Sequence, residues 1–215
     1  MSTGFFITFE GGEGSGKTTQ LLRAADRLRA AGFTVVVTRE PGGCPIADAV
    51  RTILLDAANR AMVPLTELLL YAGARAQHVS EVIAPALAAG NIVICDRFTD
   101  STLAYQGYGR QLDRELITQL NALATGPVKP DLTLILDCPA ALGLSRAMAR
   151  INASPAAREE RFEQESLLFH ERIRTGYHDQ AVAEPQRCLL IDGSGSIEAT
   201  ETLVMDAILP RLPRR

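Results

Sequence analysis

Eight residues near the N-terminus have the types and spacing that hold a polyphosphate. They satisfy the pattern G-x-x-x-x-G-K-[ST] and are Gly11, Gly12, Glu13, Gly14, Ser15, Gly16, Lys17 and Thr18. Glycines let the backbone curl so that several N–H groups point at phosphate oxygens. Lys17 can then bridge the β- and γ-phosphates, and the Thr18 hydroxyl can bind Mg²⁺. These eight residues therefore predict a binding site for a nucleoside triphosphate.

The sequence on either side of this loop fits the same interpretation. An apolar run at 5–10 predicts a strand, and an amphipathic stretch at 17–31 predicts a helix whose positive N-terminal end faces the phosphates. A glycine-rich turn without function is the alternative, but it does not account for this strand-loop-helix context. The dinucleotide pattern G-x-G-x-x-G fails because Lys17 stands where its third glycine would be.

Charged residues follow the predicted second and third strands. Arg39 follows the second strand, Asp96 is the last residue of the third, and Arg97 follows it. Asp96 could join Thr18 in holding Mg²⁺, or it could hold Lys17. Each guanidinium group is a planar fork that matches a phosphate. Surface ion pairs are the alternative interpretation for both arginines.

A third group of charges lies in an arginine-rich segment. It predicts a mobile lid at about 146–162, whose arginines are Arg146, Arg150, Arg158 and Arg161. Such a lid would close over the transferring phosphate and neutralise its charge. A solvated helix face with ion pairs between neighbouring turns is the alternative.

The elements that must position these residues alternate between strands and helices. Apolar runs predict strands at 5–10, 34–38, 91–96, 132–137 and 188–192. Helices are predicted at 17–31, 45–55, 65–89, 113–124, 140–149, 163–184 and 197–209. This order predicts an α/β protein with the P-loop NTPase fold, a five-stranded parallel sheet covered by helices on both faces. Ligands of such sheets bind beyond the carboxyl ends of the strands, where the loop and the charged residues would meet.

Length and composition limit the other possibilities. The 215 residues are 47% hydrophobic, which suits one domain spanning residues 1–215. A net charge of -3 provides no basic field, so we expect no nucleic-acid partner. No apolar run approaches the ~20 residues that span a bilayer, and no signal segment is evident, so we expect a cytoplasmic protein. Four cysteines without a C-x-x-C pair predict buried thiols rather than disulfides or a zinc site.

Two other classes of P-loop protein fit the sequence less well. Residues 128–131 faintly resemble the guanine-reading signature of GTPases, but they precede a strand where that signature follows one. An ATP-dependent switch or binding module would need a residue that positions water for hydrolysis, or a D-x-x-G segment after the third strand. Neither is evident, so a phosphotransferase is favoured.

With these residues assembled, the chain resembles bacterial thymidylate kinases over nearly its whole length. Beyond the phosphate loop, the resemblance rests on the runs at 38–43, 71–75, 96–98, 104–107, 130–133 and 161–163. It implies ATP-dependent phosphorylation of dTMP to dTDP by direct in-line transfer, with Mg²⁺ as cofactor. It also implies a homodimer, with the helix at 65–89 as the candidate interface. Another nucleoside monophosphate kinase or a deoxynucleoside kinase is the alternative.

The resemblance implies roles for individual residues in binding the acceptor. Tyr71 takes the place of an aromatic ring, usually Phe, that stacks on thymine, and Arg75 would hydrogen-bond the base. Arg39 and Arg97 would hold the acceptor phosphate. Further predicted contacts to the nucleoside come from Glu13, Thr102, Tyr105 and Gln106. Glu13 would reach the 3′-hydroxyl, and the ring of Tyr105 would fill the space of a 2′-hydroxyl.

The predicted catalytic residues come from the loop, the third strand and the lid. One branch of the family has an arginine within the phosphate loop, but Gly14 and Ser15 follow Glu13 here. The lid would then supply the catalytic arginines. The complete predicted catalytic set is Lys17, Asp96, Arg97, Arg150, Arg158 and Arg161.

Overall fold

The five predicted strands are present and form one parallel sheet. The computed structural model describes residues 4–153 and 161–213. Strand order across the sheet is β2-β3-β1-β4-β5. The strands are β1 Phe5–Glu10, β2 Val35–Arg39, β3 Ile92–Asp96, β4 Leu132–Asp137 and β5 Cys188–Asp192. The α/β prediction is confirmed, with β2 and β3 each beginning one residue later than predicted.

Helices connect and cover the strands. Within the described ranges they are α1 Lys17–Ala30, α2 Pro45–Leu55, α3 Pro64–His78, α4 Ala84–Ala88, α5 Thr99–Thr102, α6 Arg114–Thr125, α7 Ala140–Ala153, α8 Leu167–Ala183 and α9 Ile197–Ile208. Two π-helical segments, Val79–Ile83 and Leu103–Gly109, and a 3₁₀ turn, Leu209–Arg211, complete the set. The predicted helix at 65–89 is therefore α3, the first π segment and α4 in direct succession.

Side chains of alternate strand residues are buried on opposite faces of the sheet. Ile7 and Phe9 of β1 belong to a core with residues of α1 and α9. Phe6 of the same strand packs on the other face with Val79 and Ile83. Both faces of the strand are thus apolar and covered, which is why the strands appear in the sequence as continuous hydrophobic runs.

The segment from Thr99 to Gly109 was not predicted as helical, yet it forms α5 and the second π segment. Its threonines and glycines are weak helix formers. Close packing against α8 compensates for this. Gly109 lies so near the Phe169 ring that an added Cβ would be 2.6 Å from it, and Gly176 of α8 lies so near Tyr108 that an added Cβ would be 2.7 Å away. Tertiary contacts therefore stabilise a helix that local propensity does not favour.

Helix boundaries elsewhere follow capping side chains. Asp113 caps α6, because its side chain accepts a hydrogen bond from Glu115 N. Ser166 caps α8 in the same way, so this helix begins at Leu167 rather than at the predicted residue 163. All four cysteines are buried and unpaired, as expected.

The predicted lid is described only in part. Its first residues continue α7 to Ala153, and residues 154–160, with Arg158, lie outside the described residues. The mobility of the lid and the single-domain assignment stay predictions. Within the ranges that are described, no helix has the length and apolar character needed to cross a membrane.

Candidate active site

The phosphate loop lies between β1 and α1, at the carboxyl end of the sheet. Lys17 is 7% exposed, and its Nζ donates hydrogen bonds to Gly11 O at 3.0 Å and Gly12 O at 2.7 Å. Burial and the nearby Arg97 guanidinium lower the pKa of the Lys17 ammonium, and neighbouring carboxylates offset only part of this, leaving the pKa at about 8. The loop thus surrounds a cation that main-chain oxygens already solvate.

Glycines are required in this loop because backbone from other elements packs directly against it. Gly11 has φ 134°, and an added Cβ would lie 2.3 Å from Leu136 O. Gly14 has φ 63°, and its Cβ would lie 2.0 Å from Gly143 O of α7. Strands and α7 therefore hold the loop from beneath in a conformation that larger residues could not adopt.

Thr18 and Asp96 meet at the edge of the loop, as predicted. Residue Phe9 of β1 is paired with Asp96 of β3, which brings the end of β3 to the first turn of α1. The Thr18 Oγ1 donates a hydrogen bond of 2.6 Å to Asp96 Oδ2. A hydroxyl and a carboxylate are hard oxygen ligands of the kind Mg²⁺ prefers, so this donor set fits the predicted metal.

Arg97 lies where β3 ends and is bound closely to the phosphate loop. One guanidinium nitrogen, Nη2, donates to Glu13 Oε1 at 2.8 Å, and Nη1 donates to Gly11 O at 3.0 Å. The guanidinium carbon lies 4.8 Å from the centre of the Tyr105 ring, and Tyr105 in turn donates to Glu13. Arg97 has φ 67°, a left-handed conformation that costs about 1–2 kcal/mol outside glycine.

Glu13 is ionised at neutral pH despite its burial. Burial raises the pKa of its carboxyl, but Arg97, Lys17 and the hydroxyl of Tyr105 together lower the pKa to about 2. A carboxylate that is charged at neutral pH therefore lies beside the loop, at the position predicted to reach a sugar hydroxyl.

A cavity of about 700 Å³ extends from the phosphate loop. The predicted site residues that line it are Glu13, Gly14, Ser15, Gly16, Lys17, Thr18, Arg39, Tyr71, Asp96, Arg97 and Arg150. Arg39 is half exposed and donates to Asp48 at 3.0 Å. Gly11 and Gly12 instead line a small cavity beneath the loop.

A second cavity adjoins the first and contains the residues predicted to bind the nucleoside. Tyr71 and Arg97 line both cavities. Arg75, Thr102, Tyr105 and Gln106 line the second one. The sequence therefore identified residues that the fold brings together, although they come from α3, β3, α5 and the second π segment.

Arg75 and Gln106 are held by buried carboxylates. Arg75 is 2% exposed, and its Nε donates to Glu40 Oε2 at 2.7 Å. Gln106 donates to Glu67 Oε1 at 2.7 Å. Thr102 accepts from Arg75 Nη2 at 2.9 Å. These bonds fix the polar groups of the second cavity before any ligand enters.

Arginines of the predicted lid have different surroundings. Arg150 is largely exposed and lies 3.8 Å from Glu163. Arg161 is buried; its Nη2 donates to Glu67 at 2.5 Å and its Nε donates to Leu54 O at 2.6 Å. In this conformation Arg161 does not line the large cavity, so its role in catalysis stays a prediction.

Several residues at the site were not predicted. Glu163 lines the large cavity, and burial together with the Glu13 carboxylate raises its pKa to about 7. Phe162 lines both cavities. Both adjoin Arg161 in the run at 161–163, which is the only signal that pointed to them. Tyr177 accepts a hydrogen bond from Arg97 and donates one to Glu10. Glu10 and Tyr177 are 167 residues apart in the sequence, so no local pattern connects them.

The sequence of the whole site matches one family. A family model described as Thymidylate kinase matches residues 9–204. The chain belongs to the thymidylate kinase family. The resemblance inferred from the motifs is thereby confirmed, as is the P-loop fold.

Thymidylate kinases from bacteria are similar to this chain along its full length. The thymidylate kinase of Geobacter sulfurreducens is 68% identical over 212 residues, covering 99% of this chain and 100% of that protein. That of Citrifermentans bemidjiense is 62% identical over 209 residues, covering 97% and 93%. A crystal structure of thymidylate kinase from Ehrlichia chaffeensis has a TM-score of 0.76 and 37% identity, covering 95% of this chain and 97% of that one.

Proposed function

We propose that this protein transfers the γ-phosphate of ATP to dTMP, forming ADP and dTDP. The observation that carries the proposal is the junction of the two cavities. The cavity at the phosphate loop and the one lined by Arg75 and Gln106 share Tyr71 and Arg97. A nucleotide in the second cavity would therefore direct its phosphate at a triphosphate on the loop.

The donor end of the reaction follows from the loop. Backbone N–H groups of the loop and the N-terminal end of α1 would bind the phosphates of ATP. Lys17 would exchange its bonds to Gly11 O and Gly12 O for phosphate oxygens. Thr18 and Asp96 would hold Mg²⁺, which when bound supplies positive charge to the phosphate oxygens.

The acceptor end follows from the second cavity. Arg75 makes four hydrogen bonds to described residues, to Glu40, Asn121, Phe98 O and Thr102. A guanidinium has five N–H groups, so one Nη1 hydrogen is available to a carbonyl of thymine. The Tyr71 ring would stack on the base, and Gln106 and Thr102 would line its pocket. Glu13 would accept from the 3′-hydroxyl, with Tyr105 beside it disfavouring ribose.

The transfer step needs positioning and charge rather than a general base. A phosphate oxygen of dTMP is already nucleophilic, so the protein has only to bring it to the γ-phosphorus and stabilise the charge that develops. Arg39 and Arg97 would hold the acceptor phosphate for this purpose. Arg150, Arg158 and Arg161 are the proposed lid arginines, which would exclude water that otherwise hydrolyses ATP. Arg161 would first have to leave Glu67.

A panel of acceptors tests this function against its alternative. ADP formation would be measured with thymidine and with dTMP, dUMP, UMP, dCMP, AMP and GMP at equal concentrations. We expect dTMP to give the highest kcat/KM, and thymidine to give no stimulation because it lacks the phosphate that Arg97 would hold. Preference for another monophosphate or for thymidine would favour the alternative kinase. ATP hydrolysis unaffected by any acceptor would favour a switch protein.

ATP binding is expected to weaken as the pH rises above 8. The Lys17 pKa of about 8 lies below its usual value, and only the protonated ammonium attracts phosphate. Above this pKa, the affinity for ATP measured at saturating Mg²⁺ should therefore fall up to tenfold per pH unit. Lys17→Arg is the control, because a guanidinium stays protonated throughout. A wild-type affinity that stays constant to pH 9.5 would contradict this account of Lys17.

Three expectations about the whole protein remain proposals. The homodimer would form through α3, whose first turns expose Leu65 and Leu69 at 48% and 51%. The absence of a nucleic-acid partner and the cytoplasmic location rest on the sequence arguments alone.

A further inference from the structure

Glu10 is a fully buried carboxylate to which the transfer mechanism gives no role. It is the last residue of β1 and is 0% exposed. Its Oε1 accepts a hydrogen bond of 2.7 Å from Phe98 N. Its Oε2 accepts from Ser101 Oγ and, at 3.0 Å, from the Tyr177 hydroxyl. A buried carboxylate with this many donors is held in one orientation.

Each of these three donors is linked to Arg97. Phe98 follows Arg97 directly, so its bond to Glu10 fixes the turn in which Arg97 takes its left-handed conformation. Ser101 Oγ and the Tyr177 hydroxyl accept from Arg97 Nη1 at 3.3 Å and 3.4 Å. Glu10 therefore holds both the backbone and the side chain of Arg97, through a network that joins β1, β3, α5 and α8.

The network with Ser101 and Tyr177 contacts only Nη1 of the Arg97 guanidinium, and Nη2 faces the opposite side. Nη2 lies on the side of Glu13, which it contacts at 2.8 Å. Nη1 is occupied by Gly11 O, Ser101 and Tyr177. The hydroxyls thus prevent the guanidinium from turning away from the phosphate loop.

The charges around Glu10 are consistent with this role. Burial and the Asp100 carboxylate raise the pKa of Glu10 to about 7, while Ser101, Arg97 and Phe98 N oppose the rise. Burial and the Asp100 charge thus disfavour the ionised form of Glu10. What Glu10 contributes is the orientation of Phe98 N, Ser101 and Tyr177 around Arg97.

We propose that Glu10, acting through Ser101 and Tyr177, is a positioning residue that aims Arg97 at the phosphate of the acceptor nucleotide. This inference rests on the proposed function, in which Arg97 holds that phosphate. Glu10 itself would not touch either substrate, so its loss should weaken recognition of the acceptor phosphate and leave the nucleoside contacts intact.

Comparing dTMP with thymidine isolates this effect, because the two ligands differ only in the phosphate. Dissociation constants for both would be measured by calorimetry on Glu10→Gln, Tyr177→Phe and the wild type. Glutamine can still accept from Phe98 N, but its amide group adds a donor where Ser101 and Tyr177 now donate. We expect dTMP to bind about tenfold more weakly in each variant, thymidine to change less than twofold, and the KM for ATP to stay within twofold.

Controls separate this role from a general effect on folding. Tyr108→Phe removes another tyrosine hydroxyl that bonds to α8, at Asp179, and should leave both ligands unchanged. Adding Glu10→Gln to Arg97→Ala should weaken dTMP by less than a further twofold, because the residue through which Glu10 acts is already absent. Should Glu10→Gln fail to fold, Tyr177→Phe decides the question.

Three results would overturn the inference. They are unchanged dTMP affinity in Tyr177→Phe, equal weakening of dTMP and thymidine, and a further tenfold loss in the Arg97→Ala background. If the wild type bound thymidine as tightly as dTMP, the proposed function itself would fail. If the wild type strongly preferred dTMP and both variants matched it, only the role of Glu10 would be wrong.

Discussion

Replacing Lys17 by alanine is expected to lower kcat for dTDP formation by about 10³-fold, the loss typical of removing a charge that stabilises a transition state. Lys17 is the one lysine among the loop residues, and its Nζ lies within hydrogen-bond distance of Gly11 O, Gly12 O and Ser15 Oγ. Alanine removes the ammonium group that would stay bound to the γ-phosphate oxygens during the transfer. The measurement is a coupled assay of ADP formation at saturating ATP and dTMP.

The sequence offers a matched control for this variant. Lys129 is the only other lysine of the chain and is exposed. It precedes β4 and therefore lies at the amino ends of the strands, whereas the phosphate loop lies at their carboxyl ends. Lys129→Ala should retain wild-type kcat. Retention of more than a tenth of the activity by Lys17→Ala would contradict the interpretation of residues 11–18 as a catalytic phosphate loop.

Replacing Arg97 by alanine is expected to reduce kcat/KM for dTMP by about 10³-fold, because a partly buried charge-assisted contact to phosphate is lost. The variant also leaves Glu13 without its ion-pair partner at 2.8 Å. Glu13 would then repel the acceptor phosphate more strongly. The KM for ATP should change much less, so initial rates at varied dTMP and varied ATP distinguish the two ends of the site.

An exposed arginine provides the comparison for this second variant. Arg27 of α1 is 61% exposed and pairs with Glu201 at 3.3 Å, away from either cavity. Arg27→Ala should leave both kinetic constants within twofold. Near-normal turnover of dTMP by Arg97→Ala would remove Arg97 from the proposed phosphate contacts.

The residues that short motifs identified are those whose positions follow from strand order. Asp96 was predicted near the phosphate loop because the carboxyl ends of neighbouring parallel strands meet, and its carboxylate lies 2.6 Å from the Thr18 hydroxyl. Tyr71 and Arg75 are four residues apart in the helix predicted at 65–89, a spacing that puts two side chains on one helix face, and both line the second cavity. The first placement follows from strand order and the second from helical spacing.

Long-range contacts were beyond the reach of the same reasoning. Tyr177 lies in the middle of α8, where nothing in the local sequence connects it with Glu10. The π segment at Leu103–Gly109 depends on the close packing of Gly109 and Gly176 against aromatic rings, which periodicity cannot detect. Arg161 belongs to the predicted lid, but its ion-pair partner, Glu67, lies 94 positions earlier in the sequence.

The most direct test of phosphate transfer between the two cavities is a crystal structure with dTMP and a non-hydrolysable ATP analogue bound together. We predict that a phosphate oxygen of dTMP lies about 3–3.5 Å from the γ-phosphorus, the separation of reacting atoms before in-line transfer, with Arg97 contacting the dTMP phosphate. If the two ligands bound with their phosphates well beyond reacting distance in a closed complex, direct transfer between them would be contradicted.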